Sequence, residues 1–155
     1  MLENSHCPSV FVDADACPVK EEIITLCELY KTKVTFVASF RNMTDKFSQV
    51  KWIWVDPGRD SADIAIMNHI KANDIVITDA IGLSAGCLGK GASVMNSRGG
   101  IIDNHNIEML LDSRHISAVE RRAGNRTKGP KKLQKEDKIK FSIVFKKFLS
   151  KNAGV

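Results

Sequence analysis

Five short apolar runs divide the first two-thirds of this sequence, at residues 10–12, 34–38, 52–55, 75–78 and 92–95. Each is too short for a helix, and most are rich in β-branched or aromatic residues. Residues 75–78 are apolar up to Thr78, the pattern of a parallel strand covered on both faces. Between the runs lie segments with helical spacing. Behind Pro18, which suits a first helical turn, Val19, Ile23, Leu26, Cys27 and Tyr30 share one face. Residues 61–72 and a glycine-weakened 83–90 also have helical spacing, and 40–50 is open between a loop and a short helix. Strands alternating with helices predict an α/β fold in layers around a central, mainly parallel sheet of about five strands. Residues 107–123 and 135–151 read as two further helices, with Phe141, Val144, Phe145 and Phe148 on one stripe. The loop between them, GNRTKGPKK, is rich in glycine and basic residues. With 155 residues and no repeat, the chain reads as a single domain with a basic helical extension from about 104.

In open parallel sheets, ligands sit at the carboxyl ends of the strands. Asp13 and Asp15 lie at that end of the first strand and Asp79 at that end of the fourth, so they are expected to converge. Asp63 shares a helical face with Ile66, Met67 and Ile70, which places a carboxylate in a buried stripe. It needs a partner, and a divalent cation is one. Asp60 fits an N-cap before Ser61, and Asp15 is open between a site role and a cap for the helix behind Pro18. Asp74 precedes its strand and reads as a loop acid. Clustered carboxylates repel one another, and Mg²⁺ or Mn²⁺ would relieve that repulsion while activating water and polarising a phosphoryl oxygen. Asp13, Asp63 and Asp79 are the expected metal ligands, and Asp13, Asp15 and Asp63 the expected catalytic acids.

The net charge of +5 conceals an asymmetry. Residues 114–155 hold 13 Lys/Arg against 3 Asp/Glu, a net of +10, whereas residues 1–113 carry a net of −5. A basic tail beside an acidic body suits a polyanion partner such as RNA, or it only keeps the protein in solution. Arg114 and Arg121 fall on the helix face of Ile107, Leu111 and Ala118, where they either snorkel outward or meet a carboxylate or phosphate. Arg126, Lys128, Lys131 and Lys132 could follow a phosphate backbone. The four cysteines, Cys7, Cys17, Cys27 and Cys87, form no CxxC pair. With no basic segment leading into an apolar one at the start, free thiols in a cytoplasmic protein are expected. No apolar run approaches the roughly 18 residues of a membrane span.

The blocks VDADACPVK, DSADIAIMN, DIVITDAIGLSA, KGASVMNSRG, NIEMLLDSRH and KGP resemble, in this order, the signature of the YaiI/YqxD family, small bacterial proteins grouped with PIN-like domains. The resemblance covers about residues 10–149. It implies a three-layer PIN-like α/β fold with an acidic Mg²⁺ or Mn²⁺ site at the strand ends. Asp13 matches the first-strand Asp of PIN-like nucleases, Asp15 a family-specific acid, and Asp60 and Asp63 a D-x-x-D block. The fourth-strand block departs from the family pattern, because Ala80 stands where the family has Asp and Asp79 comes one position early. Successive strand residues face opposite sides, so the shift bears on whether Asp79 reaches the site.

Three functions are therefore carried forward. The first is a metal-dependent phosphodiesterase resembling a ribonuclease, with Asp60 and Thr78 in support and Arg114, Arg121, Lys128 and Lys131 on phosphate. The second is a non-catalytic RNA-binding or interaction protein with a degenerate site. The third comes from the DxD of FVDADA, which also looks like the first motif of haloacid-dehalogenase-type phosphatases. There Asp13 would be nucleophile and Asp15 acid/base, with Ser39 in the second motif. Its lysine is out of order, since Lys90 follows Asp79 and Lys71 ends a helix. Whether the chain is an enzyme stays open at this point.

Overall fold

The five apolar runs and one further short strand form a six-stranded sheet. A computed structural model describes residues 7–126 and 131–152. The strands are β1 (Val10–Asp13), β2 (Val34–Ser39), β3 (Lys51–Val55), β4 (Ile75–Ile77), β5 (Ser93–Met95) and β6 (Ile101–Ile102), and the helices are α1 (Lys20–Leu29), α2 (Ser61–His69), α3 (Ile81–Gly89), α4 (Ile107–Arg122) and α5 (Lys135–Asn152). The ambiguous stretch after β2 holds a single 3₁₀ turn, Phe40–Asn42. The order across the sheet is β3-β2-β1-β4-β5-β6. All neighbours pair in parallel except β5 and β6.

Strand periodicity sorts the core into two clusters. Val10, Val12, Phe36, Ala38, Ile75 and Ile77 meet Ile23 and Cys27 of α1 and Phe141, Phe145 and Leu149 of α5. Phe11, Val37, Val76 and Val94 meet Ile66 of α2, Leu83 and Cys87 of α3 and Ile107 of α4. The result is the expected three layers, helix, sheet and helix. Phe141 and Phe145 are wholly buried, and each such ring contributes about 1.5–3 kcal/mol from removal of apolar surface from water. That burial fixes α5 to α1 and turns its lysines outward.

Two local features place the strand ends. Asp74, expected as a loop acid, is 1 % exposed. Its carboxylate accepts from Ser9 N at 2.9 Å and Lys71 N at 2.8 Å, and so ties the chain ahead of β1 to the chain ahead of β4. After β5, Asn96 Oδ1 accepts from Arg98 N at 2.9 Å and Gly100 N at 2.8 Å, closing the turn into β6. Gly99 in that turn has φ +85°, and a Cβ there would lie 2.9 Å from Lys140 C and Phe141 N. Only glycine lets the turn rest on the backbone of α5. Arg98 completes the contact, with one guanidinium nitrogen 2.9 Å from Asp137 and another donating to the Lys131 carbonyl.

Candidate functional site

The strand order reverses between β1 and β4, so the connections from their carboxyl ends leave in opposite directions and a crevice opens between them. A cleft of about 210 Å³ lies there, lined by Asp13, Asp15, Ala16, Cys17, Ile77, Thr78, Asp79 and Ser97. The β1 and β4 ends thus bring together Asp13, Asp15, Thr78 and Asp79, as the strand-end argument predicts.

Each carboxylate in the cleft is held by a protein donor. Thr78 Oγ1 donates to Asp13 Oδ2 at 2.8 Å, and the same hydroxyl oxygen accepts from Ala80 N at 3.0 Å. Asp15 Oδ1 accepts from Ser39 N at 2.9 Å and Asn42 Nδ2 at 2.7 Å. Asp15 therefore secures the end of β2, and α1 begins at Lys20 with no side-chain cap. Asp79 lies beyond β4, which ends at Ile77, so strand alternation does not set its direction. Its Oδ1 accepts from Ser97 N at 2.9 Å, and Ser97 Oγ sits 3.0 and 2.8 Å from the two carboxylate oxygens. Ser97 is 5 % exposed and comes from the NSRGG turn. Sequence reasoning passed over it. A Ser beside Asn and two glycines at the carboxyl end of a strand was the available signal.

Asp63 does not line this cleft. It borders a separate depression with Ile64, Met67, Asn68, Gly82, Leu83 and Gly86. Arg114 reaches the same region, since a Cβ on Gly82 would lie 2.9 Å from Arg114 Nη1. Burial and Asp60 raise the Asp63 pKa, and Arg114 lowers it. Arg114 itself is exposed. Asp60 sits at the start of α2 with left-handed φ of 67° and makes no side-chain cap. Arg121, Arg126 and Lys131 are exposed, and Lys128 lies outside the described residues.

Burial raises the Asp13 pKa above its ordinary value. The Thr78 hydrogen bond opposes this, while Asp63, Asp15 and Asp79 reinforce it. Burial likewise pushes the Cys17 thiol up to about 11, so it is no ready nucleophile. Lys90, needed by the phosphatase reading, donates to Met67 O at 2.6 Å, and among the described residues no lysine lines the cleft.

The expected metal site requires correction. Among the described residues, no three Asp, Glu, His or Cys side chains form a group able to hold a metal ion. Asp13, Asp63 and Asp79 do not assemble as ligands for Mg²⁺ or Mn²⁺. The physical reason is the placement of donors. Thr78 and Ser97 engage Asp13 and Asp79, and Asp63 turns into another depression beside Arg114. Also among the described residues, no helix is long and apolar enough to cross a membrane.

Comparison with known proteins bears on the whole of this arrangement. A UPF0178 protein of Bacillus velezensis is 41 % identical over 155 residues, covering 99 % of this chain and 92 % of its own. A UPF0178 protein of Halalkalibacterium halodurans is 45 % identical over 146 residues, 94 % of this chain and 93 % of its own. Among solved structures, Rae1 (YacP) from Bacillus subtilis is similar with a TM-score of 0.41 and 17 % identity, over 76 % of this chain and 84 % of that one. The model of the family described as "Uncharacterized BCR, YaiI/YqxD family" matches residues 11–151, from the second residue of β1 to the penultimate residue of α5. The chain belongs to the YaiI/YqxD family.

Proposed function

We propose that the protein binds RNA along its basic C-terminal helices. The observation that carries this reading is the orientation of α5. Its Phe141–Phe145–Leu149 stripe is buried, which leaves Lys140, Lys147 and Lys151 exposed in one row beside it. At 1.5 Å per residue the row spans about 16 Å, enough to follow some three phosphates of a single strand. Exposed Arg121, Arg126, Lys131 and Lys132 add to the same basic third of the chain. RNA is the polyanion to which the PIN-like resemblance points. Three aspartates line the cleft, so the basic helices are the part suited to hold the length of the backbone. Fluorescence anisotropy with an RNA of about 20 nucleotides, over a salt series, tests the proposal. Replacing Lys140, Lys147 and Lys151 with Ala should flatten the slope of log K against log salt by about 2, from about 0.7 per phosphate contact. An unchanged slope removes α5 from the interface.

A second reading rests on Asp13. Asp13 and Asp15 line one cleft, a pair of carboxyls that can divide acid and base roles, and burial moves the Asp13 pKa upward, the direction a general acid needs. On RNA, the 2′-hydroxyl would attack phosphorus and pass its proton to Asp15. The P–O5′ bond would break as Asp13 protonates the leaving oxygen, giving a 2′,3′-cyclic phosphate. Asp13→Asn would then abolish cleavage without altering RNA binding. Binding with no cyclic-phosphate product from the unaltered protein would leave the first reading alone.

A further inference from the structure

Helix α4 has two apolar faces. Ile107, Leu110 and Leu111 point into the core cluster beneath α3. On the opposite side, Met109, Ile116 and Val119 are 63, 61 and 46 % exposed. At 100° per residue these three fall within about 80° of one another and lie roughly half a turn from the buried face. Their spacing is seven and then three residues, the pattern of a helix-packing seam. Asp112 lies in the same stripe. A face of this kind on a helix otherwise committed to its own core calls for a partner.

The charges beside the stripe say which partner. Glu108, His115 and Arg122 are seven residues apart and form one column along its flank. Glu108 lies at the start of α4 and Arg122 at the end, and both are exposed. The column is therefore acid at one end and base at the other, with His115 at its midpoint. A second α4 laid antiparallel across a two-fold axis near residue 115 brings Glu108 of each copy opposite Arg122 of the other. The apolar stripes then meet along the middle, and each Asp112 comes beside the other copy's His115. A two-fold interface must be complementary to itself, and this column is.

We propose that the outer face of α4 is a self-association surface, through which two copies of this chain pair antiparallel. One short helix pair buries less than the roughly 1,200 Å² of a standard stable interface, so the pairing is weak and concentration-dependent. The surface is separate from the lysine row of α5.

Sedimentation velocity of the full chain from about 10 to about 500 μM tests the idea, a span suited to a micromolar equilibrium. A monomer–dimer equilibrium is expected. Glu108→Arg alone and Arg122→Glu alone should each weaken it by about tenfold or more, because each sets like charges opposite one another at both ends. Mixing the two variants one to one should restore association to within about threefold of the unaltered protein, since each copy then meets its complement. Ile116→Lys should leave only monomer. All three positions are exposed, so unchanged circular dichroism is expected throughout. A monomer at every concentration overturns the proposal, as does a mixture of the charge variants that fails to associate. A monomeric protein whose Ile116→Lys variant loses RNA binding also overturns it, and assigns the face to nucleic acid.

Discussion

Thr78→Val is the perturbation that best tests how the cleft is held. Valine keeps the shape of threonine and removes the hydroxyl. Two bonds go with it, the donation to Asp13 Oδ2 at 2.8 Å and the acceptance from Ala80 N at 3.0 Å. A bond to an ionised carboxylate is worth about 2 kcal/mol and a neutral one about 1, so the variant should lose about 3 kcal/mol at pH 7. For a chain of this length that is a fall in Tm of about 6–12 °C. The loss depends on pH in a defined sense. Asp13 has a folded pKa above its ordinary 3.8, so the stability it contributes is complete below that value and is lost as pH rises through the raised one. Thr78 steadies the ionised form, so its own contribution runs the other way and fades as Asp13 takes up a proton. The difference between variant and parent should shrink toward about 1 kcal/mol as pH falls from 7 toward about 4. Urea unfolding reads this directly, with the stacked Trp52 and Trp54, centroids 4.5 Å apart, as fluorescent reporters. A difference below about 0.5 kcal/mol at pH 7, or one that does not change with pH, would refute the reasoning.

Gly99→Ala should destabilise by more than about 1 kcal/mol, because φ is +85° and the new Cβ meets the α5 backbone at 2.9 Å; unaltered thermal unfolding would mean the turn does not rest on α5. A thiol reagent at neutral pH should modify Cys7 alone in the folded protein and all four cysteines in urea. Cys17, Cys27 and Cys87 are buried, with thiols pushed up to about 11, 12 and 12. Rapid reaction of more than one thiol under native conditions would count against that burial.

Where the sequence was legible, one physical cause is responsible. Strands covered on both faces are mostly apolar, so β1, β2, β4 and β5 stand out without any knowledge of the fold. Strand β6 is two residues long, too short for any period to register, and it is defined only by pairing with Val94 and Met95. The start of α1 shifted to Lys20 because Pro18 and Val19 belong to the turn. At the site, the strand-end rule found Asp13, Asp15 and Asp79, since it needs only the order of elements. The metal expectation failed because a sequence counts carboxylates without showing which donors face them. The partners of Asp15 are Ser39 and Asn42, 24 and 27 residues away, and they meet it through the register of β1 on β2. Ser97 meets Asp79 across 18 residues for a comparable reason. Asp74 looked like an idle acid because its partners are backbone amides, to which residue type gives no clue.

The β1–β4 junction has a consequence for how this protein could be divided. The sheet is two contiguous halves, residues 10–55 supplying β1, β2 and β3 and residues 75–102 supplying β4, β5 and β6. They are sutured along one line, and an aspartate rivets each end of it. Asp74 grips Ser9 at one end and Asp13 grips Thr78 at the other, each across 65 residues of chain. Neither half owns the cleft. Two fragments parted between 55 and 75 would carry all of its walls and none of its shape until they reunited, and recovery of the Asp13–Thr78 bond would be the sign that they had.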